Sequence, residues 1–231
     1  MLILGIESAT ESVGVALGGH DGVIASVEIA RGRRHAESIV PAVEFVCRQA
    51  DVRLDEVAVV AVDVGPGLFT GMRVGIATAK ALAMAKRVPM IGITSLDLLA
   101  FPVRHSDRVV VPVIDARKGE VFWAMYRQVP GGVQQVMAPT VGSVEDLVAD
   151  LMARGQESLC IGDGAERYRT ELSEVHHVEI AGPRHPSAGA LVELAHARAL
   201  REEWIDQREI APVYLRQPDA QINWNTRQVR P

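Results

Sequence analysis

The chain has little cysteine, few aromatic residues, no excess of positive charge and no long uninterrupted apolar run. Only Cys47 and Cys160 occur in 231 residues, each inside an apolar segment without a second cysteine or histidine at metal-ligand spacing. That excludes a disulfide framework and a cysteine-rich metal site, and it predicts two reduced core thiols in a cytosolic, hence cytoplasmic, protein. Aromatic residues make up 4% of the chain and the formal net charge is −5. A domain whose own surface supplies most of the affinity for a nucleic acid backbone is usually basic, so the isolated chain is expected to bind nucleic acid weakly at best. Met1 to Ile6 is apolar but has no basic leader and is interrupted by Glu7, so neither a signal peptide nor a membrane span is expected.

Common catalytic signatures are missing as well. His35-Ala36-Glu37 has no second histidine one turn away, and the adjacent His176 and His177 would point to opposite sides of a strand. No metal and no cofactor is therefore expected. There is no Gly-x-Ser-x-Gly elbow, and neither cysteine has a basic cluster beside it in sequence. Gly65-Pro-Gly-Leu-Phe-Thr-Gly71 lies between an apolar run and a helical pattern, where a dinucleotide enzyme holds its pyrophosphate. Its last spacing is wrong, it follows the fourth strand rather than the first, and no acid follows Met90 to Ile93 to hold a ribose. No lysine follows the glycine, so a Walker-type phosphate loop fails too.

What is present is an ordinary globular composition, 48% hydrophobic and 23% charged, in a chain long enough for one large or two small domains. Leu2 to Ile6 reads as a buried strand ending at the acid Glu7; Ser12 to Leu17 alternates, Gly18 to Gly22 makes a hairpin loop, and Val23 to Ala30 pairs back. His35 to Ala50 reads as a helix, Val57 to Val62 as a strand buried on both faces, Phe69 to Lys86 as a helix, and Met90 to Ile93 as a short strand before a helix at Thr94 to Ala100. The second half repeats the opening: Val109 to Ile114 ends at Asp115, Glu120 to Arg127 alternates, Pro130 to Gly132 turns and Val133 to Met137 pairs back. Two copies of strand, acid, turn, strand, loop and strand point to a duplicated architecture. Helices near Val144 to Arg154 and Ser187 to Glu203, strands at Leu159 to Ile161 and His177 to Ile180, a turn at Gly162-Asp163-Gly164 and an extended Pro212 to Arg216 complete the expectation. Gln217 to Pro231 is polar and is expected to be a flexible or loosely docked tail.

The stretch Asp63 to Lys86 organises the rest. Gly65, Pro66 and Gly67 occupy a strand-to-helix turn that either cradles a phosphate on a helix N-terminus or is a tight turn with no ligand. The helix after it is apolar or small nearly all round, so it is buried on more than one side, by its own domain or by a second subunit.

The runs Ile3-Leu-Gly-Ile-Glu-Ser-Ala-Thr, His35-Ala-Glu-Ser-Ile-Val-Pro, Gly65-Pro-Gly-Leu-Phe-Thr-Gly-Met-Arg-Val-Gly, Thr94-Ser-Leu-Asp-Leu-Leu-Ala, Asp115-Ala-Arg-Lys-Gly-Glu-Val-Phe and Pro212-Val-Tyr-Leu-Arg resemble the bacterial TsaB (YeaZ) family. That resemblance implies an α/β fold of the actin-like ATPase (ribonuclease-H-like) type, with two subdomains at residues 1–104 and 105–216, each opening with an antiparallel meander, and a tail at 217–231. It implies a non-catalytic scaffold subunit of the complex that installs threonylcarbamoyl on an adenosine next to the tRNA anticodon. Catalysis would lie in the homologue TsaD, an ATPase, TsaE, would complete the set, and tRNA would be met only indirectly. TsaD carries metal-binding histidines after the strand corresponding to Met90 to Ile93, where this chain has Thr94, Ser95, Leu96, Asp97 and Leu98. A vestigial nucleotide site would fall at Glu7, Ser8, Thr10 and Asp115; Glu7 replaces an aspartate common in the superfamily. The alternative is an independent ATP-dependent transferase or kinase using the same cleft. The resemblance also implies a helical-bundle interface, with TsaD or in a homodimer, drawn from Ile39, Ala42, Val43, Phe45 and Val46 on the first helix. Gly71, Met72, Gly75, Ile76, Ala79 and Ala83 are the candidates on the second.

Overall fold

Residues 1–30, 34–130 and 132–216 are described by the computed structural model, and the expected tail at 217–231 lies outside them. Strand β1 (Ile3–Glu7) is buried along its whole length, as its apolar run requires. It pairs antiparallel with β2 (Val13–Gly19), which pairs antiparallel with β3 (Gly22–Ile29). Helix α1 (His35–Gln49), β4 (Val59–Asp63), α2 (Phe69–Lys86) and β5 (Met90–Ile93) follow, with β4 parallel to β1 and β5 parallel to β4. The order of this first sheet is β3-β2-β1-β4-β5.

After α3 (Ser95–Ala100) the pattern repeats with β6 (Val109–Arg117), β7 (Glu120–Val129), β8 (Gly132–Ser143), α4 (Val144–Arg154), β9 (Ser158–Ile161), α5 (Asp163–Arg167), α6 (Arg169–Leu172) and β10 (Val178–Ile180). The second sheet runs β10-β9-β6-β7-β8, the same topology read from its far edge. The duplication expected from the two acid-ended strands is therefore present, and the fold is α/β of the actin-like type.

Several bounds differ from the sequence reading. β6 continues through Asp115 to Arg117, because Lys118 and Gly119, both at positive φ, close a two-residue turn against β7. β8 extends to Ser143 because its residues keep pairing with β7 past Pro139. The Gly162-Asp163-Gly164 turn instead opens α5, with Gly162 at φ 106° as its cap. Helix α7 (Ala188–Ala199) stops short of Glu203, and Glu202 takes a left-handed backbone just after it.

Helices α1 and α2 cover one face of the first sheet, packing on Leu4, Ile6, Val15, Val60 and Val62. The other face, lined by Ile3, Ala16, Val59, Ala61 and Ile91, is covered by α7, so the chain after residue 187 returns from the second sheet to the first. Helix α3 lies between the sheets, with Leu98 in the core of the first and Leu96, Leu99 and Ala100 in that of the second. Both cysteines are free, Cys160 buried and Cys47 half-buried.

Candidate functional site

The turn before α2 is shaped by contact with the chain's own first loop. A Cβ on Gly67 would lie 2.1 Å from Ala9 O, one on Gly71 2.2 Å from Ser8 O, and one on Gly75 2.1 Å from Ser8 Oγ. Leu68 N donates to Ala9 O at 2.6 Å, and Ser8 Oγ donates to Gly71 O at 3.0 Å. Gly65, at φ 92°, donates its amide to Asp63 Oδ1 at 2.7 Å and accepts from Ser95 N at 2.9 Å. Of the two readings of this turn, the tight one accounts for its glycines, since α2 approaches the β1–β2 loop too closely for any side chain.

Two carboxyls lie side by side on the face of the first sheet opposite α2. Glu7 and Asp63 end the neighbouring parallel strands β1 and β4, and both are buried. Glu7 Oε1 accepts from Ala9 N at 2.9 Å, while Glu7 Oε2 is buried without a partner. Asp63 accepts from Gly65 N and, at 2.7 and 2.8 Å, from Ser95 Oγ. Burial and then the charge of Asp63 raise Glu7 well above the usual carboxylate range; burial likewise pushes Asp63 up to about 7. Both groups bind a proton more tightly folded than unfolded. Their contribution to stability is thus greatest below the unfolded carboxylate pKa of about 4 and is lost as pH rises toward 7. Glu7→Gln keeps an acceptor for Ala9 N and removes the buried charge. Its unfolding free energy from urea denaturation is expected to gain on that of the parent protein as pH is raised from 5 to 8, by on the order of 1–2 kcal/mol at the upper end. A difference that stays constant across that range would contradict the buried acid pair.

Between the two sheets lies a cavity of about 320 Å³ lined by Glu11, Asp115, Arg117, Asp163, Glu166, Arg167, Arg184 and His185. Arg117 spans it, with Nη2 at 2.5 Å from Glu11 Oε1 of the first lobe and Nη1 at 3.0 Å from Asp115 Oδ2 of the second. Arg167 Nη1 approaches the same Asp115 oxygen at 3.5 Å. The Arg117 amide donates to Asp115 Oδ1 at 2.9 Å and the Asp115 amide to Asp163 Oδ1 at 3.1 Å. Burial and the nearby Asp115 push Asp163 up to about 6. Of the four residues expected at a nucleotide site, only Asp115 lines this cavity. Glu7, Ser8 and Thr10 are buried in the first lobe, where Thr10 O accepts from His35 Nε2 at 2.7 Å. Sequence reasoning missed Glu11, Arg117, Asp163 and Arg167. The available signal was the repeat itself, for Glu7 and Asp115 each accept from the amide two residues on, which places Arg117 at the mouth of the second meander.

The outer faces of α1 and α2 form the other unusual surface. Ile39, Ala42, Val43 and Val46 on α1, and Gly71, Met72, Gly75, Ile76, Ala79 and Ala83 on α2, face inward, so all of these interface candidates are buried within the chain itself. The reason is steric: the stripe of small residues at 71, 75, 79 and 83 is what lets α2 lie close to its own sheet. Of the expected contact residues only Phe45 points outward, at 38% exposure, and Val40 (52%), Phe69 and Met84 (62%) join it. Phe69, Arg73, Ala77, Ala81 and Met84 recur at three- to four-residue spacing along the exposed side of α2. Arg73 lies with its guanidinium carbon 3.7 Å above the Phe69 ring centre and donates from Nε to Tyr214 Oη at 2.7 Å.

The sequence pattern of the family described as "TsaD: tRNA N6-adenosine threonylcarbamoyltransferase" matches residues 22–224. Over 97% of this chain and 98% of its own length, the tRNA threonylcarbamoyladenosine biosynthesis protein TsaB of Bacillus subtilis is 28% identical. The solved structure of YeaZ from Pseudomonas aeruginosa superposes with a TM-score of 0.80 at 27% identity, covering 93% of this chain and 99% of that one. The chain belongs to the TsaB (YeaZ) family. More distantly, at 11% identity and a TM-score of 0.50, the fold is shared with the activator of the 2-hydroxyisocaproyl-CoA dehydratase from Clostridium difficile, covering 93% and 100%.

In this TsaB-family chain the position after β5 is spent on structure. Thr94 caps α3 by accepting from Asp97 N at 3.1 Å, and Asp97 accepts from Tyr126 Oη at 2.9 Å and faces Arg198 at 3.5 Å. Among the described residues no three histidine, cysteine, aspartate or glutamate side chains are grouped as metal ligands, and no helix is long and apolar enough to cross a membrane. His177 is satisfied by Leu151 O at 3.0 Å.

Proposed function

We propose that the chain is a non-catalytic, cytoplasmic subunit of the complex that transfers threonylcarbamoyl to an adenosine next to the tRNA anticodon. TsaD carries out the transfer, TsaE supplies ATPase activity, and tRNA is met mainly through these partners. The observation that supports this reading is the ion-pair bridge across the cleft. Between the two sheets, the place where an actin-like enzyme would hold a nucleotide is spanned by the Glu11–Arg117–Asp115 bridge, and Glu7 is fully buried on the α7 side of the first sheet. Membership of the TsaB family supports the pathway.

The contact surface is the outer side of α1 and α2, centred on Val40, Phe45, Phe69 and Met84. The same surface forms an isologous homodimer when the chain is alone, in competition with TsaD. Large apolar anchors at the centre of such a contact are worth about 2 kcal/mol or more each. Phe45→Glu and Met84→Glu are expected to remain folded, sediment as monomers and bind TsaD at least about 30-fold more weakly. Sedimentation and titration with TsaD check this; two folded variants that still dimerise and bind TsaD with unchanged affinity would place the contact elsewhere.

A further inference from the structure

The segment after α7 ties three parts of the molecule together. Ile205 bridges to Met90 on β5, Ile210 is buried in the core under α1 and α2, and Val213 N donates to Val64 O at 2.8 Å. The next three residues then diverge. Tyr214 lies on the exposed side of α2, its ring 5.4 Å from that of Phe69 and its hydroxyl accepting from Arg73. Leu215, half-buried, packs against the core of the second lobe. Arg216 Nη1 donates to Ala116 O at 3.0 Å and to Glu120 Oε2 at 2.9 Å, gripping the β6–β7 hairpin. Ala116 sits between Asp115 and Arg117, the two residues that close the cleft with Glu11.

We propose that Tyr214 to Arg216 form a coupling element, through which an occupant of the N-terminal outer face of α2 sets the β6–β7 turn and so the bridge across the cleft. The strap has little slack. Tyr214 and Arg216 are two peptide units apart, a reach of about 7 Å, with Val213 bonded upstream and Leu215 packed between them. A partner that draws Phe69 and Arg73 away from Tyr214 therefore displaces Arg216 from the hairpin. A half-exposed ion pair such as Arg117 with Glu11 is weak enough for a small displacement to change its population severalfold. The existence of an occupant rests on the partner reading of α2; the link itself lies within this chain.

Amide hydrogen exchange on the full chain tests the link without a partner. The amides of Asp115 and Arg117 are both bonded to carboxylates, so their exchange reports the state of the turn. Tyr214→Ala is expected to speed exchange across residues 115–119 by about fivefold or more, although no described contact joins Tyr214 to them. Arg216→Ala is expected to speed exchange of the Met72 amide, which closes the first turn of α2 on Leu68 O. If each variant alters exchange only where its own side chain touched, the proposal is overturned. Should Tyr214→Ala also loosen β1 and β4, Tyr214→Phe, which keeps the ring and loses only the Arg73 bond, decides: faster exchange at 115–119 supports the link and unchanged exchange overturns it. Failure of Phe45→Glu to weaken TsaD binding would remove the occupant and leave this result standing.

Discussion

Gly71→Ala is expected to destabilise the protein by about 2 kcal/mol or more, although alanine is the better helix former by roughly 1 kcal/mol. The added methyl would stand 2.2 Å from the backbone oxygen of Ser8 and 3.2 Å from His35 Nε2. Ser8 cannot swing away, because its loop is tied by Leu68 N to Ala9 O and by its own hydroxyl to Gly71 O. Either α2 lifts from β1, opening the core around Ile6 and Ile76, or the loop carrying Ser8 and Ala9 is pushed toward the buried Glu7. Gly189→Ala is the matched comparison. That glycine is also helical, but its Cβ would meet Val23 at an ordinary 3.5 Å, so the change is expected to be neutral or slightly stabilising. Urea denaturation of the two variants checks the pair. Equal midpoints would mean that the close approach of α2 to the first loop is not what requires glycine.

Ile76→Glu is expected to unfold the first lobe rather than merely separate subunits. Ile76 lies in the core with Leu4, Ile6 and Val62, where a carboxylate would have no partner. The cost exceeds about 4 kcal/mol, a large part of the stability of an ordinary domain of about 5–15 kcal/mol. Ala77, one residue on, is exposed, so Ala77→Glu should leave the fold intact. Far-ultraviolet circular dichroism with thermal melting separates the cases, and a folded, cooperative Ile76→Glu monomer would show that the inner and outer faces of α2 are assigned the wrong way round.

Much of the fold was legible because each half of the chain announces itself by a buried apolar strand ending in an acid. Helix bounds at Phe69, Lys86, Val144 and Arg154 follow from patterns of small and apolar residues broken by Arg87 and Gly155, both in left-handed backbone at the helix ends. The facing of α2 was not legible. Its inner and outer sides are both small and apolar, and only the close approach of Gly71 and Gly75 to Ser8, a contact between residues more than sixty apart, distinguishes them. The return of α7 to the first sheet was equally hidden, since nothing local in Ala188 to Ala199 says which sheet it covers. The cleft was half visible: Asp115 was singled out in the sequence and lines the cavity between the sheets, whereas Arg117, beside the tight turn at Lys118 and Gly119, reaches Glu11 by a contact between residues 106 apart. Glycines read as a possible phosphate cradle proved to be points of contact within the chain, a distinction that needs the third dimension.

The proposed role has this chain act through its outer helix face and not through chemistry in its own cleft. TsaD, TsaE and this chain, supplied with tRNA, ATP and an activated threonylcarbamoyl donor, allow the two to be separated by the yield of threonylcarbamoylated tRNA. With Asp115→Asn, which alters the cleft, the yield should stay within about twofold of the parent, whereas Met84→Glu, which alters only the exposed side of α2, should lose at least about tenfold. Full activity with Met84→Glu together with loss of activity in a folded Asp115→Asn would contradict the account.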